Sequence, residues 1–314
     1  TRLSLYRNNL NHEALEEIIA ALSGYKRLVL EPISEEMIGR DQKYYDMLAH
    51  IIDLNCITSS KKNAKILGRL RDDAWHKKEY LYITDLYDDE NGDKYFIVEE
   101  GDDWGWLAYF LGRNKQICRL NLCCLPEYED EVDAFMEGLC RNQSIERLQF
   151  RRNDIEFSSL SPFIVNNGNL KDLRLFHVDM TLHVARSLAE ALIQREHKNL
   201  TRFVLSRNNL SSEALAEITA ALTGYSSLEE FGVLENNLIG RDGCESLGTI
   251  FRSSALYLKE VLLCGNDFDD EDLQTLVAAL TNATTLQSLW LSSNRSIAAA
   301  GLRALSQLFS SACP

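Results

Sequence analysis

Leu200-Thr201-Arg202-Phe203-Val204-Leu205-Ser206-Arg207-Asn208 is the stretch that decides the fold. Apolar residues hold its first, fourth and sixth places, and an asparagine holds its ninth. The phrase returns as Leu228, Phe231, Val233, Asn236, as Leu258, Val261, Leu263, Asn266, and as Leu286, Leu289, Leu291, Asn294. Looser copies come before it: Ile117, Leu120, Leu122, then Ile145, Leu148, Phe150, Asn153, then Leu170, Leu173, Leu175. Successive starts lie 28, 25, 30, 28, 30 and 28 residues apart. A unit of that length cannot bury its apolar face alone and must stack on its neighbours, so the period means a solenoid.

Each repeat has two halves. The first alternates apolar and polar residues with period two, as a short strand does. The second carries apolar residues at helical spacing: Ala214, Leu215, Ile218, Ala221, Leu222, then Leu273, Leu276, Val277, Leu280, and last Leu302, Leu305, Leu308, Phe309. Glu213, Asp270 and Glu271 open these helices, where a negative charge meets the positive helix end. The fold class is therefore α/β, a horseshoe-like solenoid with short parallel strands inside and helices outside. The ninth-place asparagines Asn153, Asn208, Asn236, Asn266 and Asn294 are expected to bond backbone groups of the next turn and so form a ladder.

A longer period is also present. Residues from Thr1 match those from Thr201: Arg7-Asn8-Asn9-Leu10 against Arg207-Asn208-Asn209-Leu210, and Gly24-Tyr25 against Gly224-Tyr225. After a shift of one, Ile38-Gly39-Arg40-Asp41 matches Ile239-Gly240-Arg241-Asp242. Residues 1–56 thus read as a partial array copied from 201–256. Residues 57–116 read as a capping helix (Ala64, Ile66, Leu67, Leu70, Trp75) and an irregular unit. That unit has a strand at Leu81, Ile83 and Leu86, an acidic insertion over 88–103, and a helix face at Trp104, Leu107, Phe110 and Leu111. Residues 117–314 read as seven repeats. Thr1 falls mid-repeat, so a missing true N-terminus is expected and a targeting signal is not assessable.

These repeats resemble the ribonuclease-inhibitor-like class of leucine-rich repeats, over roughly residues 1–56 and 80–312. Gly101-Asp102-Asp103-Trp104-Gly105-Trp106-Leu107 with Arg141-Asn142-Gln143-Ser144-Ile145 is similar to uncharacterised algal members. The resemblance implies fold and a binding role, since the class includes nuclease inhibitors, immune sensor arms and small-GTPase activators. Fold by itself assigns no activity.

Bulk composition narrows the role. The 314 residues carry 47 acidic against 33 basic side chains, a net charge of -14, which argues against general affinity for nucleic acid. No apolar run reaches a membrane-spanning length of about 18 residues. None of the eight cysteines forms a C-x-x-C pair, so they read as reduced thiols of a cytoplasmic or nuclear protein rather than zinc ligands or disulfides. No phosphate-binding loop, metalloprotease helix or nucleophile elbow is present. His177 and His183 lie across a strand–helix turn. In the acidic insertion, placing Gly92 at the sixth position of a calcium loop would make Tyr87 the first ligand and Val98 the twelfth. No enzyme, cofactor or metal is therefore expected.

The polar places between the strand apolars should face the concave side in columns. They run Arg119, Asn121, Cys123, then Arg147, Gln149, Arg151, then Asp172, Arg174, Phe176, then Arg202, Val204, Ser206. This predicts an arginine stripe, followed by Glu230, Glu235 and Glu260, with Leu262 and Trp290 at the last repeats. The expected site is Arg119, Arg147, Arg151, Arg174 and Arg202 for an acidic patch on another protein, with Trp290 as apolar anchor. The competing expectation is a solvated face on which Arg174 pairs with Asp172 and Arg202 with Glu230. Two other roles remain open at this point: regulator of an enzyme such as a small GTPase, or structural subunit of a larger assembly. Self-association is not decided by the residues.

Overall fold

The computed structural model describes residues 2–3, 12–22, 29–30, 42–58, 60–77, 79–84, 94–98, 104–123, 129–151, 157–254 and 256–312. The chain divides into two units. One comprises Thr1–Ile117 with Pro126–Ser144, the other Cys118–Leu125 with Ile145–Pro314.

In the first unit β1 (Arg2–Leu3) pairs in parallel with β2 (Val29–Leu30), Arg2 opposite Val29. Helix α1 (His12–Leu22) packs against α2 (Gln42–Leu48). Helix α3 (Lys61–Arg71) starts at Ser60, whose hydroxyl accepts from Asn63 N, and ends with Arg69 and Arg71 at its negative end. Ala64, Ile66, Leu67 and Leu70 are buried as their spacing demands, and Trp75 is buried just beyond the helix. The strand expected at Leu81 and Ile83 is β3 (Tyr80–Thr84); Leu86 lies outside the described residues.

Within the acidic insertion over 88–103 lies a strand the sequence did not suggest, β4 (Tyr95–Ile97), which pairs in parallel with β3. Its aromatic and β-branched residues favour a strand despite the carboxylates around them. Asn63 fixes it to α3: the amide donates to Ile97 O at 2.6 Å and accepts from Ile97 N at 3.2 Å. Helix α4 (Trp104–Arg113) buries Trp104, Leu107, Phe110 and Leu111, but also Trp106, Ala108 and Tyr109, so it is covered on more than the one expected face. It approaches α5 (Glu129–Arg141) closely enough that a Cβ on Gly138 would lie 2.5 Å from Ala108 O. Only glycine fits that crossing.

The second unit repeats one step. Strands β5 (Arg119–Leu122), β6 (Arg147–Arg151), β7 (Asp172–Phe176), β8 (Arg202–Ser206), β9 (Glu230–Leu234), β10 (Glu260–Leu262) and β11 (Ser288–Trp290) pair in parallel, each with the next in the chain. A 3-10 turn (Phe157–Leu160) precedes α6 (Ser161–Asn166). Helices α7 (Leu182–Gln194), α8 (Ser212–Leu222), α9 (Gly240–Ser253), α10 (Asp270–Leu280) and α11 (Ala299–Ala312) follow, each packed on the one before. Thr181, Ser211 and Asp269 cap α7, α8 and α10, the last with a capping box to Asp272. The core lies between the strand and helix layers. There Leu200, Phe203, Leu205 and their equivalents through Leu263 are fully buried.

The asparagine ladder forms. Asn208 N donates to Asn236 Oδ1, Asn236 N to Asn266 Oδ1 and Asn266 N to Asn294 Oδ1, each at 2.9 Å. Each amide NH2 donates back to the preceding repeat, at Leu175, Leu205, Val233 and Leu263. Asn153 lies outside the described residues. A second set of ties, at the helix-to-strand turns, was not foreseen. Asn114 donates to Leu70 O, and Asn142 to Leu111 O and Asn114 O. In the second unit the buried Arg195 does this work, donating to Ile164 O, Leu170 O and His197 O. Burial lowers its pKa, while the three carbonyls satisfy the guanidinium.

The last repeat departs from its pattern. Leu302, read as part of the apolar face of α11, is exposed. Helix α11 packs on α10, and Leu308 of the same face is buried.

Candidate functional site on the strand face

Strand pairing turns the outward side chains of the second unit into rows. The first row runs Arg119, Arg147, Asp172, Arg202, Glu230, Glu260, Ser288, and the second Asn121, Gln149, Arg174, Val204, Gly232, Leu262, Trp290. A third carries Arg151, Phe176, Ser206 and Leu234. Five arginines thus meet three carboxylates on one face of a chain whose net charge is -14.

Two of the carboxylates are embedded among the arginines. Asp172, with a side chain 4% exposed, lies 2.5 Å from Arg147 Nε, 2.8 Å from Arg174 Nε and 3.9 Å from Arg202 Nη1. Glu230, 10% exposed, lies 3.1 Å from Arg174 Nη2 and 3.0 Å from Arg202 Nε. The pairings Arg174–Asp172 and Arg202–Glu230 weighed from the sequence are therefore present. Buried carboxylates fix the arginine heads at low entropic cost to any later contact. Burial raises the Glu230 pKa above its ordinary 4.5; Arg174 opposes this and Asp172 adds to it.

Arg202 remains 41% exposed. Arg151 is exposed, its guanidinium 5.3 Å from the Phe176 ring centroid. With the Gln149 amide turned so that its oxygen faces Arg151, that oxygen accepts from Nε at 2.6 Å. The predicted residues thus divide. Arg147 and Arg174 are the network's inner members, and Arg151 and Arg202 are its accessible ones. Arg119 begins the first row opposite Arg147.

The other end of the face differs. Trp290 is 52% exposed, and its Nε1 donates to Glu260 Oε1 at 3.0 Å. Gly232 forms no notch there. A Cβ on it would meet Val204, Leu234 and Leu262 side chains at 3.2 Å, so those three already close the space.

Beyond the strand ends His177, Arg207, Glu235, Gly265 and Ser293 all have left-handed backbone, the first three directly after β7, β8 and β9. Arg207 Nε pairs with Glu235 at 2.6 Å, and its Nη1 lies 3.5 Å from His177 Nε2.

Among the described residues no group of three His, Cys, Asp or Glu has the arrangement of a metal site. No described helix is long and apolar enough to cross a membrane. Cys56, Cys118, Cys123, Cys140, Cys244 and Cys264 are free thiols, and Cys124 and Cys313 lie outside the described residues.

No family model matches the sequence. Over 177 residues, 55% of the chain, it is 26% identical to human NACHT, LRR and PYD domains-containing protein 14, and the match covers 16% of that protein's length. The tropomodulin C-terminal domain from Caenorhabditis elegans aligns over 70% of this chain and 92% of its own at 14% identity, with a TM-score of 0.31. In-order parallel strands, returning helices and the asparagine ladder, with a relative that carries such repeats in its name, make the fold a leucine-rich repeat solenoid.

Proposed function

We propose that this protein is a non-catalytic interaction scaffold that docks another protein on the strand face of its second unit. The observation that carries this reading is the inverted charge of that face: five arginines against three carboxylates on a chain of net charge -14. Such a surplus serves a partner with an acidic patch, for which arginine offers bidentate contacts. The accessible Arg151 and Arg202 make those contacts, with Arg119 beside them. Arg147 and Arg174 hold the surface in shape. Trp290 is the anchor at the far end. The free thiols suit a reducing compartment, the cytoplasm or nucleus.

Affinity capture with the wild type beside an Arg151→Glu, Arg202→Glu, Trp290→Ala variant tests the reading. It expects a stoichiometric, salt-sensitive partner that the wild type retains and the variant loses. A partner held equally by both would move docking to the helices and end the proposal.

A further inference from the structure

We propose that Glu260 and Trp290 together form a cradle for a cationic side chain. The partner segment then carries carboxylates at one end and a lysine or arginine at the other. This rests on the docking reading above and adds to it the chemistry of the far end.

The first row contains three carboxylates in two situations. Asp172 and Glu230 are buried and matched by arginines. Glu260 is partly exposed, and among the described residues no lysine or arginine pairs with it. It instead holds Trp290 through the indole N–H at 3.0 Å. That bond removes the ring's hydrogen-bond donor from play. What Trp290 offers a partner is its π face, with a carboxylate fixed at its edge. Tryptophan is the aromatic ring that attracts cations best, and a carboxylate beside it adds a charge-assisted contact. Leu262, next to Trp290 in the row, supplies apolar surface for the stem of a lysine or arginine. An uncharged apolar anchor would desolvate the Glu260 carboxylate with no cation to balance its charge, which costs affinity.

The face therefore reads charge in a fixed order. Arg151 on β6 and Trp290 on β11 lie five strands apart, about 24 Å at about 4.8 Å per strand. An extended partner chain spans that distance in about seven residues at about 3.3 Å each.

The test measures fluorescence anisotropy of labelled peptides on the full chain. The first peptide has four glutamates, a Gly-Ser linker of about six residues and an arginine. The second carries norleucine in place of the arginine, and the third glutamines in place of the glutamates. We expect the arginine peptide to bind about threefold to tenfold tighter than the norleucine peptide. Glu260→Gln should abolish that preference. The glutamine oxygen still accepts the Trp290 N–H, so only the charge is lost. Trp290→Ala should abolish it too. Equal or tighter binding of norleucine, with the glutamates still required, would overturn the cradle and leave the docking reading standing. Indifference to the glutamates, or no binding by any peptide, would overturn both.

Discussion

The repeat that starts at Leu258 and the one that starts at Leu286 carry the same pattern and differ in burial. Leu258, Val261 and Leu263 are fully buried, whereas Leu286, Leu289 and Leu291 are each partly exposed. The earlier repeat has strands and helices on both sides, and the later one packs on β10 and α10. The copied helices teach the same lesson. Helix α8 lies between α7 and α9 and buries Ala214, Leu215, Ile218, Ala221 and Leu222. Helix α1 has nearly the same sequence and packs on α2, yet it buries Leu15 while leaving Ile18 partly exposed and Ala21 exposed. The pattern determines local structure, and the neighbours determine how much apolar surface leaves water.

The largest expected effect tests that contrast directly. Leu263→Ala should cost about 3–4 kcal/mol and Leu291→Ala about 1–2 kcal/mol, read from urea midpoints. Equal losses would break the comparison. Next is Asn236→Ala, which strips the acceptor for Asn208 N and the donor to Leu205 O and Leu234 O. Leaving those buried groups unmatched should cost about 2–3 kcal/mol, and hydrogen exchange should quicken on both flanking repeats.

A smaller pair of effects contrasts the same backbone position in the two repeats. Gly265 and Ser293 both have positive φ, +70° and +64°. Ser293→Gly should stabilise by about 1 kcal/mol through relief of left-handed strain. Gly265→Ala should destabilise by about 1–2 kcal/mol, since its Cβ would also lie 3.0 Å from Glu235 Cγ. Thermal midpoints moving the same way would contradict the shared geometry.

The smallest expected effect is in pH dependence. Glu230 has a raised folded pKa, so the fold binds its proton more tightly than the unfolded chain does. Its favourable contribution is full below the ordinary 4.5 and is lost as pH rises through the folded value. Wild type should therefore lose stability relative to Glu230→Gln across that window. Parallel pH curves for the two would contradict the burial that sets the shift.

The strand and helix halves and the ladder were legible because period and polar alternation are local properties of the residues. The arginine columns were legible too, since register follows from the repeated phrase. Three features were hidden. Strand β4 was masked by the carboxylates around Tyr95, Phe96 and Ile97. The matching of Asp172 by three arginines at once draws on its own strand and on both adjacent strands, which alternation along one strand does not weigh. The bond from Trp290 to Glu260 is a diagonal contact between repeats, and its only trace in the sequence is a tryptophan two places past the position opposite Glu260. Arg195 left no signal at all, because nothing in its segment marks a charged side chain that turns inward to carbonyls.

The most direct test of docking on the strand face is arginine-selective chemical labelling, read by mass spectrometry, with and without the captured partner. Arg151 and Arg202 report the strand face, and the exposed Arg186 and Arg241 report the helix side. The account predicts that the partner protects Arg151 and Arg202 and leaves Arg186 and Arg241 as reactive as before. Protection of Arg186 or Arg241 with Arg151 and Arg202 unchanged would contradict it.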